Sequence, residues 1–280
     1  MLLVSPGWFI CTVIAALGTL LGPLVAIIIV KRRLRVPWRY FLFGALVFFL
    51  FQIISRVPII SVLTLVLGKT VNASPVLFVL WALFLALTAS LCEEWGRYLG
   101  YRWFLKRAPK TWSTGVAYGL GHASLESMLL VGVILLALLI EILIFSFTPA
   151  AASQQAIVTQ IVKAYGTQPN WYPLITLWER LWTMFFQIAM SVLVLQSLRR
   201  KNLSYVWLAV AFHTLLDTTA VLVPHYLTGL PGIITIEVLV CIAGILAFWW
   251  LRHVHQRMSK EDEEQERALQ TDSSSSLASE

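Results

Sequence analysis

Several uninterrupted apolar runs, each long enough to cross a bilayer as a helix, constrain this chain more than any other feature. A helix rising about 1.5 Å per residue needs roughly 20 apolar residues to span the hydrocarbon. In lipid every backbone N–H and C=O must find a partner within the protein. Only helices and closed barrels achieve that, and the strict two-residue alternation of a barrel is absent here. Of the 280 residues 59% are hydrophobic, and the mean hydropathy is +0.79. The expected fold is therefore an all-α, polytopic membrane bundle of about seven helices. The spans are predicted at Trp8–Val30, Trp38–Leu67, Pro75–Trp103, Trp112–Phe147, Trp171–Leu198, Leu203–Val223 and Ile233–Leu251. The fourth is too long for one straight crossing.

Charge sets the orientation. Sixteen of the 21 basic residues fall into four clusters: Lys31 to Arg39, Arg97 to Lys110, Arg199 to Lys201, and Arg252 to Lys260. The clusters follow alternate spans, the distribution left by the positive-inside rule. This puts the amino terminus outside and the carboxyl terminus in the cytoplasm. It also accounts for the net charge of +7 without any nucleic-acid partner. The expected location is the cell membrane, with lipid as the constant neighbour. The start of the chain has no charged stretch of the secretory type, so the first span is expected to be retained. Residues 1–258 form the expected transmembrane domain, and residues 259–280 an acidic, serine-rich, disordered cytoplasmic tail. Thr148 to Asn170 is expected to be an outer loop with a short interfacial helix. Cys11, Cys92 and Cys241 lack metal-type spacing and read as small buried hydrophobes.

The acids are the informative exception. Seven of the 14 lie in or beside apolar runs, and the other seven fall within the last twenty residues. Ionisable groups in hydrocarbon are costly, and those that persist face a cavity or a partner. Glu93 and Glu94 are adjacent, with Arg97 one turn on. His122 is followed four residues later by Glu126, and His213 by Asp217. Side chains four apart share a helix face, so each acid is placed to fix the tautomer of its histidine. Glu93, His122 and His213 each lie about ten residues from the cytoplasmic end of their spans, or about 15 Å. Three groups on three helices thus converge on one level, around a pocket expected to open to the cytoplasm or to lipid. Gly119 and Gly121 permit close helix approach and could bend the fourth span. Arg56 and Glu179 lie at similar depth in spans two and five and are expected to pair.

A carboxylate beside a neutral imidazole can activate water, and a second imidazole can steady the oxyanion of a tetrahedral intermediate. The same residue types could instead hold Zn²⁺ with an open water position. Intramembrane acids and histidines also build proton relays in carriers, although the inverted repeats of such folds are not evident.

The ordered set Glu93-Glu94-x-x-Arg97, Gly119-x-Gly121-His122 with Glu126, and Phe212-His213-x-x-x-Asp217 resembles the YhfC family of intramembrane proteases. That family is similar in turn to the CAAX-protease and bacteriocin-processing group. The resemblance implies a glutamate-type intramembrane endopeptidase acting on a membrane-associated peptide or protein. By it, Glu93 is the water-activating base, Glu94 and Arg97 hold and tune it, and His122 assists with Glu126 behind. His213 with Asp217 forms the oxyanion site. Family members have been called metalloproteases. The better-understood relatives need no metal, so neither metal nor other cofactor is expected. Where the family tends to carry a histidine eight residues after the glutamate of a Glu-Arg pair, here Glu179-Arg180, this chain has Gln187. That departure favours an alternative, a non-catalytic scaffold similar to the seven-span subunit of γ-secretase. Neither the oligomeric state nor the substrate is legible.

Overall fold

The computed structural model describes residues 2–148 and 154–277. It is helical throughout, with seven helical stretches long and apolar enough to cross a membrane. The protein is a multi-pass membrane bundle, as its composition requires. Each observed span coincides with an expected one to within a few residues at either end, apart from longer extensions at the C-terminal ends of the second and the last.

Helix α1 (Pro6–Leu34) starts on a Ser5 cap, whose hydroxyl accepts from Trp8 N at 3.1 Å, with Pro6 at the first position. The same device, a capping hydroxyl followed by proline, opens α4 (Pro75–Trp103) at Ser74. Serine satisfies an otherwise orphaned N–H, and proline has none to satisfy. Arg35 ends α1 in the left-handed region with φ 53°.

The second span has three parts: α2 (Trp38–Phe48), a π-helical segment (Phe49–Arg56) and α3 (Val57–Asn72). Pro58 is the physical cause. It cannot donate to residue 54, and its ring crowds that carbonyl, so the preceding turns widen. The fourth span is likewise α5 (Trp112–Ser127), a second π-helical segment (Met128–Gly132) and α6 (Val133–Phe147). Its irregularity therefore lies beyond the glycines that were expected to bend it. Gly121 and Gly44 serve close approach instead. A Cβ on Gly121 would overlap the Phe41 carbonyl of α2, and one on Gly44 would overlap the Tyr118 carbonyl of α5.

The connection expected to be an outer loop contains α7 (Gln155–Tyr165), the short helix expected there; residues 149–153 of that loop lie outside the described residues. The bundle is completed by α8 (Leu174–Arg199), α9 (Ser204–Tyr226) and α10 (Leu230–Leu277). α5 is central, packed against α2 on one side and α8 on the other. The principal core follows from that arrangement, with Val47, Tyr101, Tyr118, Val192 and Leu195 fully buried.

The basic clusters gather at one end. Arg39 shares a surface pocket with Lys106 and Arg107, and Arg199 donates to the Lys110 carbonyl at 2.9 Å. α10 runs on past residue 258 as helix. Met258 is buried, and Glu261 and Asp262 pair with Arg199 at 3.0 and 2.8 Å. The boundary expected at 258/259 is thus no break in secondary structure. Arg97, counted with the basic clusters in the sequence, is not at this end at all; it is fully buried in mid-bundle.

Candidate functional site

Glu93, Glu94 and Arg97 lie on α4, His122 and Glu126 on α5, Gln187 on α8, and His213 and Asp217 on α9. The expected convergence of spans three, four and six is observed. Glu93, Glu94, Arg97, His122 and His213 are all buried and linked by polar contacts.

Arg97 organises the centre. Its guanidinium bonds Glu93 Oε2 at 3.0 Å through one nitrogen, and Glu94 through the other. A buried charge must be paired and hydrogen-bonded to be tolerated, and Arg97 neutralises one of the two carboxylates. Glu93 Oε2 also meets His122 Nε2 at 3.0 Å and Gln187 Nε2 at 3.3 Å, while Glu93 Oε1 accepts from Gln52 Nε2 at 2.7 Å. Oε1 thus keeps more unused acceptor capacity than Oε2.

The histidines are partnered differently from their i+4 expectation. His122 binds Glu93, and its Nδ1 has no partner among the described residues. Glu126 instead accepts from Arg180 at 3.2 Å and from Gln187 at 2.8 Å. His213 Nδ1 contacts Glu94 at 2.7 Å, whereas Asp217 stands 3.7 Å from Nε2. Contacts across helices have displaced the contacts along each helix, because an interhelical carboxylate can face the ring edge directly. The expected Arg56–Glu179 pair is not formed. Arg56 donates to the Leu85 carbonyl at 2.6 Å and Thr88 Oγ1 at 3.3 Å, and Glu179 pairs with neighbouring Arg180.

Beside this cluster is a cavity of about 180 Å³, lined in part by Gln52, Arg56, Glu93, Glu126, Arg180, Gln187, His213 and Asp217. Glu93 and His213 are the two central groups that reach it, with His213 Nε2 3.9 Å from Glu93 Oε2. A gap of that size between an imidazole and a carboxylate suits a bridging water. Sequence reasoning missed Gln52. The available signal was its position four residues before Arg56 in an otherwise apolar span, a polar pair on one helix face.

The arrangement can be tested against a divalent cation. Glu93 with His122 and Glu126, and Glu93 with Glu94 and His213, each bring three donor atoms within 4.8 Å of one another. These are imidazole and carboxylate donors of the kind zinc accepts. Across the site and its ion pairs, Glu93, Glu94, Glu126, Glu179 and Asp217 face Arg56, Arg97 and Arg180. Carboxylates therefore exceed guanidiniums by two charges, the deficit one divalent ion or two protons would fill. A metal-bound imidazole usually donates its other N–H to an acceptor; His213 has Glu94 for this and His122 has nothing. The residues thus fit a cation in donor type and charge, with His213 the better prepared ligand.

A protein-family model described as "YhfC intramembrane metalloprotease" matches residues 18–253. This chain belongs to the YhfC family. It is 27% identical, over 82% of its length and 89% of the relative's, to "Uncharacterized membrane protein YhfC" of Bacillus subtilis (strain 168). No solved structure matches. The family model covers spans two to six entirely, and with them every residue of the site just described.

Proposed function

We propose that this chain is an intramembrane endopeptidase in which Glu93 activates water. The supporting observation is the position of Glu93: it lines the cavity, its Oε1 has spare acceptor capacity, and its Oε2 is held by His122 and Arg97. Water in the cavity gives a proton to Glu93 as its oxygen bonds to the scissile carbonyl carbon. His122, neutral with its proton on Nε2, donates to Glu93 Oε2 and keeps Oε1 turned to the cavity. Glu94 holds Nδ1–H of His213 and stabilises the ring as its imidazolium, whose Nε2–H points at the developing oxyanion. Collapse of the tetrahedral intermediate breaks the C–N bond, and the proton held by Glu93 passes to the departing amine. Glu126 and Asp217, the remaining two carboxylates at the cavity, set its charge, and Glu126 also holds Gln187.

A second reading is favoured by the family's description and by the two donor sets around Glu93. A cation held by Glu93 with His213, or with His122 and Glu126, would supply Lewis-acid polarisation of the carbonyl or of water. Glu94 would then act as the acceptor behind His213.

The test is cleavage of an apolar transmembrane peptide by purified protein in lipid, compared with Glu93→Gln. The expected result is complete loss of cleavage with unchanged folding. Retained cleavage in Glu93→Gln would remove the base. No cleavage by the unaltered chain, together with co-purification of a stable membrane partner, would favour the scaffold. Prolonged chelation leaves activity intact in the first reading and abolishes it in the second.

A further inference from the structure

The cavity lies on one side of the ionised cluster only. From Glu93 toward the basic end, α4 and α5 place Arg97, Tyr101 and Tyr118, all fully buried. The phenol of Tyr101 donates to the Ser191 carbonyl at 3.1 Å, and that of Tyr118 reaches the Arg97 carbonyl at 3.4 Å. The two rings lie 4.3 Å apart. This aromatic floor closes the route from the basic loops. The residues that line the cavity away from the cluster run the other way along every helix. They are Arg56 and Val57 in the second span, Leu130 in the fourth, Thr183 in the fifth and Asp217 in the sixth. Each lies nearer the outer end of its span than the cluster residue on that span or the span beside it.

The rim on that side is loosely covered. α3 packs mainly on α4 and on its own π-helical segment. Leu65 and Val66 face away from the bundle, 84% and 70% exposed, and of the α3 residues only Val71 is buried. The first π-helical segment ends at this rim, at Arg56–Val57, and the second lends it Leu130 from its middle turn. Widened turns of this kind place side chains that a regular helix would point elsewhere.

With the basic end in the cytoplasm, we infer that the site is reached from the non-cytoplasmic half of the membrane, past α3 and the second π-helical segment, and is shut from the cytoplasm. Resting on the peptidase reading, this names the substrate class: a polypeptide that spans the membrane or has been exported across it, cut in its outer half. Soluble cytoplasmic tails are excluded.

The test reads access rather than cleavage, so its failure is separate from failure of the catalytic assignment. In a chain with Cys11, Cys92 and Cys241 replaced by serine, single variants Val57→Cys and Thr183→Cys are placed in the cavity wall. Lys106→Cys marks the basic end. Each is exposed in oriented proteoliposomes to a small cationic, membrane-impermeant methanethiosulfonate, drawn by the cavity's excess carboxylates, and labelling is read by intact mass. The expected result is that the cavity positions label only from the face opposite Lys106→Cys. Labelling from the same face as Lys106→Cys overturns the inference, as does labelling of Lys106→Cys from the outer face of intact cells. If neither cavity position labels from either face while Lys106→Cys does, the outer route is closed and the inference also fails.

Discussion

Glu94 and His213 meet at 2.7 Å through Nδ1, joining α4 to α9 across the bundle. Glu94 is fully buried, so this contact fixes which imidazole nitrogen faces the cavity. Nδ1 is committed to Glu94, and Nε2 is left between Glu93 at 3.9 Å and Asp217 at 3.7 Å. The orienting acid of His213 is therefore Glu94, and Asp217 is the more distant neighbour.

That relationship ranks two substitutions. Glu94→Gln frees the ring to turn, since the amide presents a donor as readily as an acceptor. Activity should fall by about 10²- to 10⁴-fold, the range for losing a positioned acid–base group. Asp217→Asn should cost less, because Asp217 makes no contact shorter than 3.7 Å with the ring. Cleavage rates of the two variants in the same lipid check the order, and a larger loss in Asp217→Asn would reverse the assignment.

Arg97 makes a stability prediction. Its guanidinium holds Glu93 and Glu94 and also donates to Gln187 Oε1. Removing one partner of a buried pair leaves uncompensated charge, typically at a cost of about 3–5 kcal/mol. Arg97→Met should lower thermal stability in detergent by an amount of that order. Adding Glu94→Gln to Arg97→Met should recover part of the loss, since it removes the carboxylate left without its cation. A double variant less stable than Arg97→Met would contradict this account.

How far the sequence carries can be seen at single residues. Span length and basic clusters located the membrane helices because both follow from the bilayer itself. Depth counting brought Glu93, His122 and His213 together because helical rise is nearly constant. Rotation about each helix was not legible. The i+4 rule assigned Glu126 to His122, but α8 brings Gln187 and Arg180 to Glu126 first. Similarly, Arg56 faces α4 and not Glu179, because the π-helical segment turns its side chain toward Leu85 and Thr88. Spacing along one helix does not show which neighbour its face meets, and no periodicity marked the widened turns.

Close packing gives a third prediction. At Gly121 a methyl group would overlap the Phe41 carbonyl, which belongs to backbone and cannot swing aside. Helix α5 would have to move from α2, carrying His122 away from Glu93. Overpacking of a well-filled core costs about 1–3 kcal/mol. Gly121→Ala should therefore lower both thermal stability and activity. Gly22→Ala, inside α1 with open space around it, should leave activity unchanged and stability unchanged or raised by up to about 1 kcal/mol in the same cleavage and melting assays.

Gln187 supplies the last prediction. Its Oε1 accepts from Arg97, while its amide nitrogen bonds Glu126 at 2.8 Å and Glu93 at 3.3 Å. It thus joins the Arg97 centre to the Glu126–Arg180 pair. A neutral imidazole can accept from Arg97 on one nitrogen and donate from the other, but it has one N–H where the amide has two. Gln187→His should keep the Arg97 bond and lose one carboxylate contact, a change of about 1 kcal/mol. Gln187→Leu leaves Arg97 one acceptor short and two carboxylates one donor short, and should destabilise by more. With the peptidase reading, Gln187→His should remain active and Gln187→Leu should not, because only the imidazole keeps an acceptor for Arg97 and a donor for a carboxylate. Equal melting temperatures for the two variants would show that Gln187 does not bind the two halves of the site together.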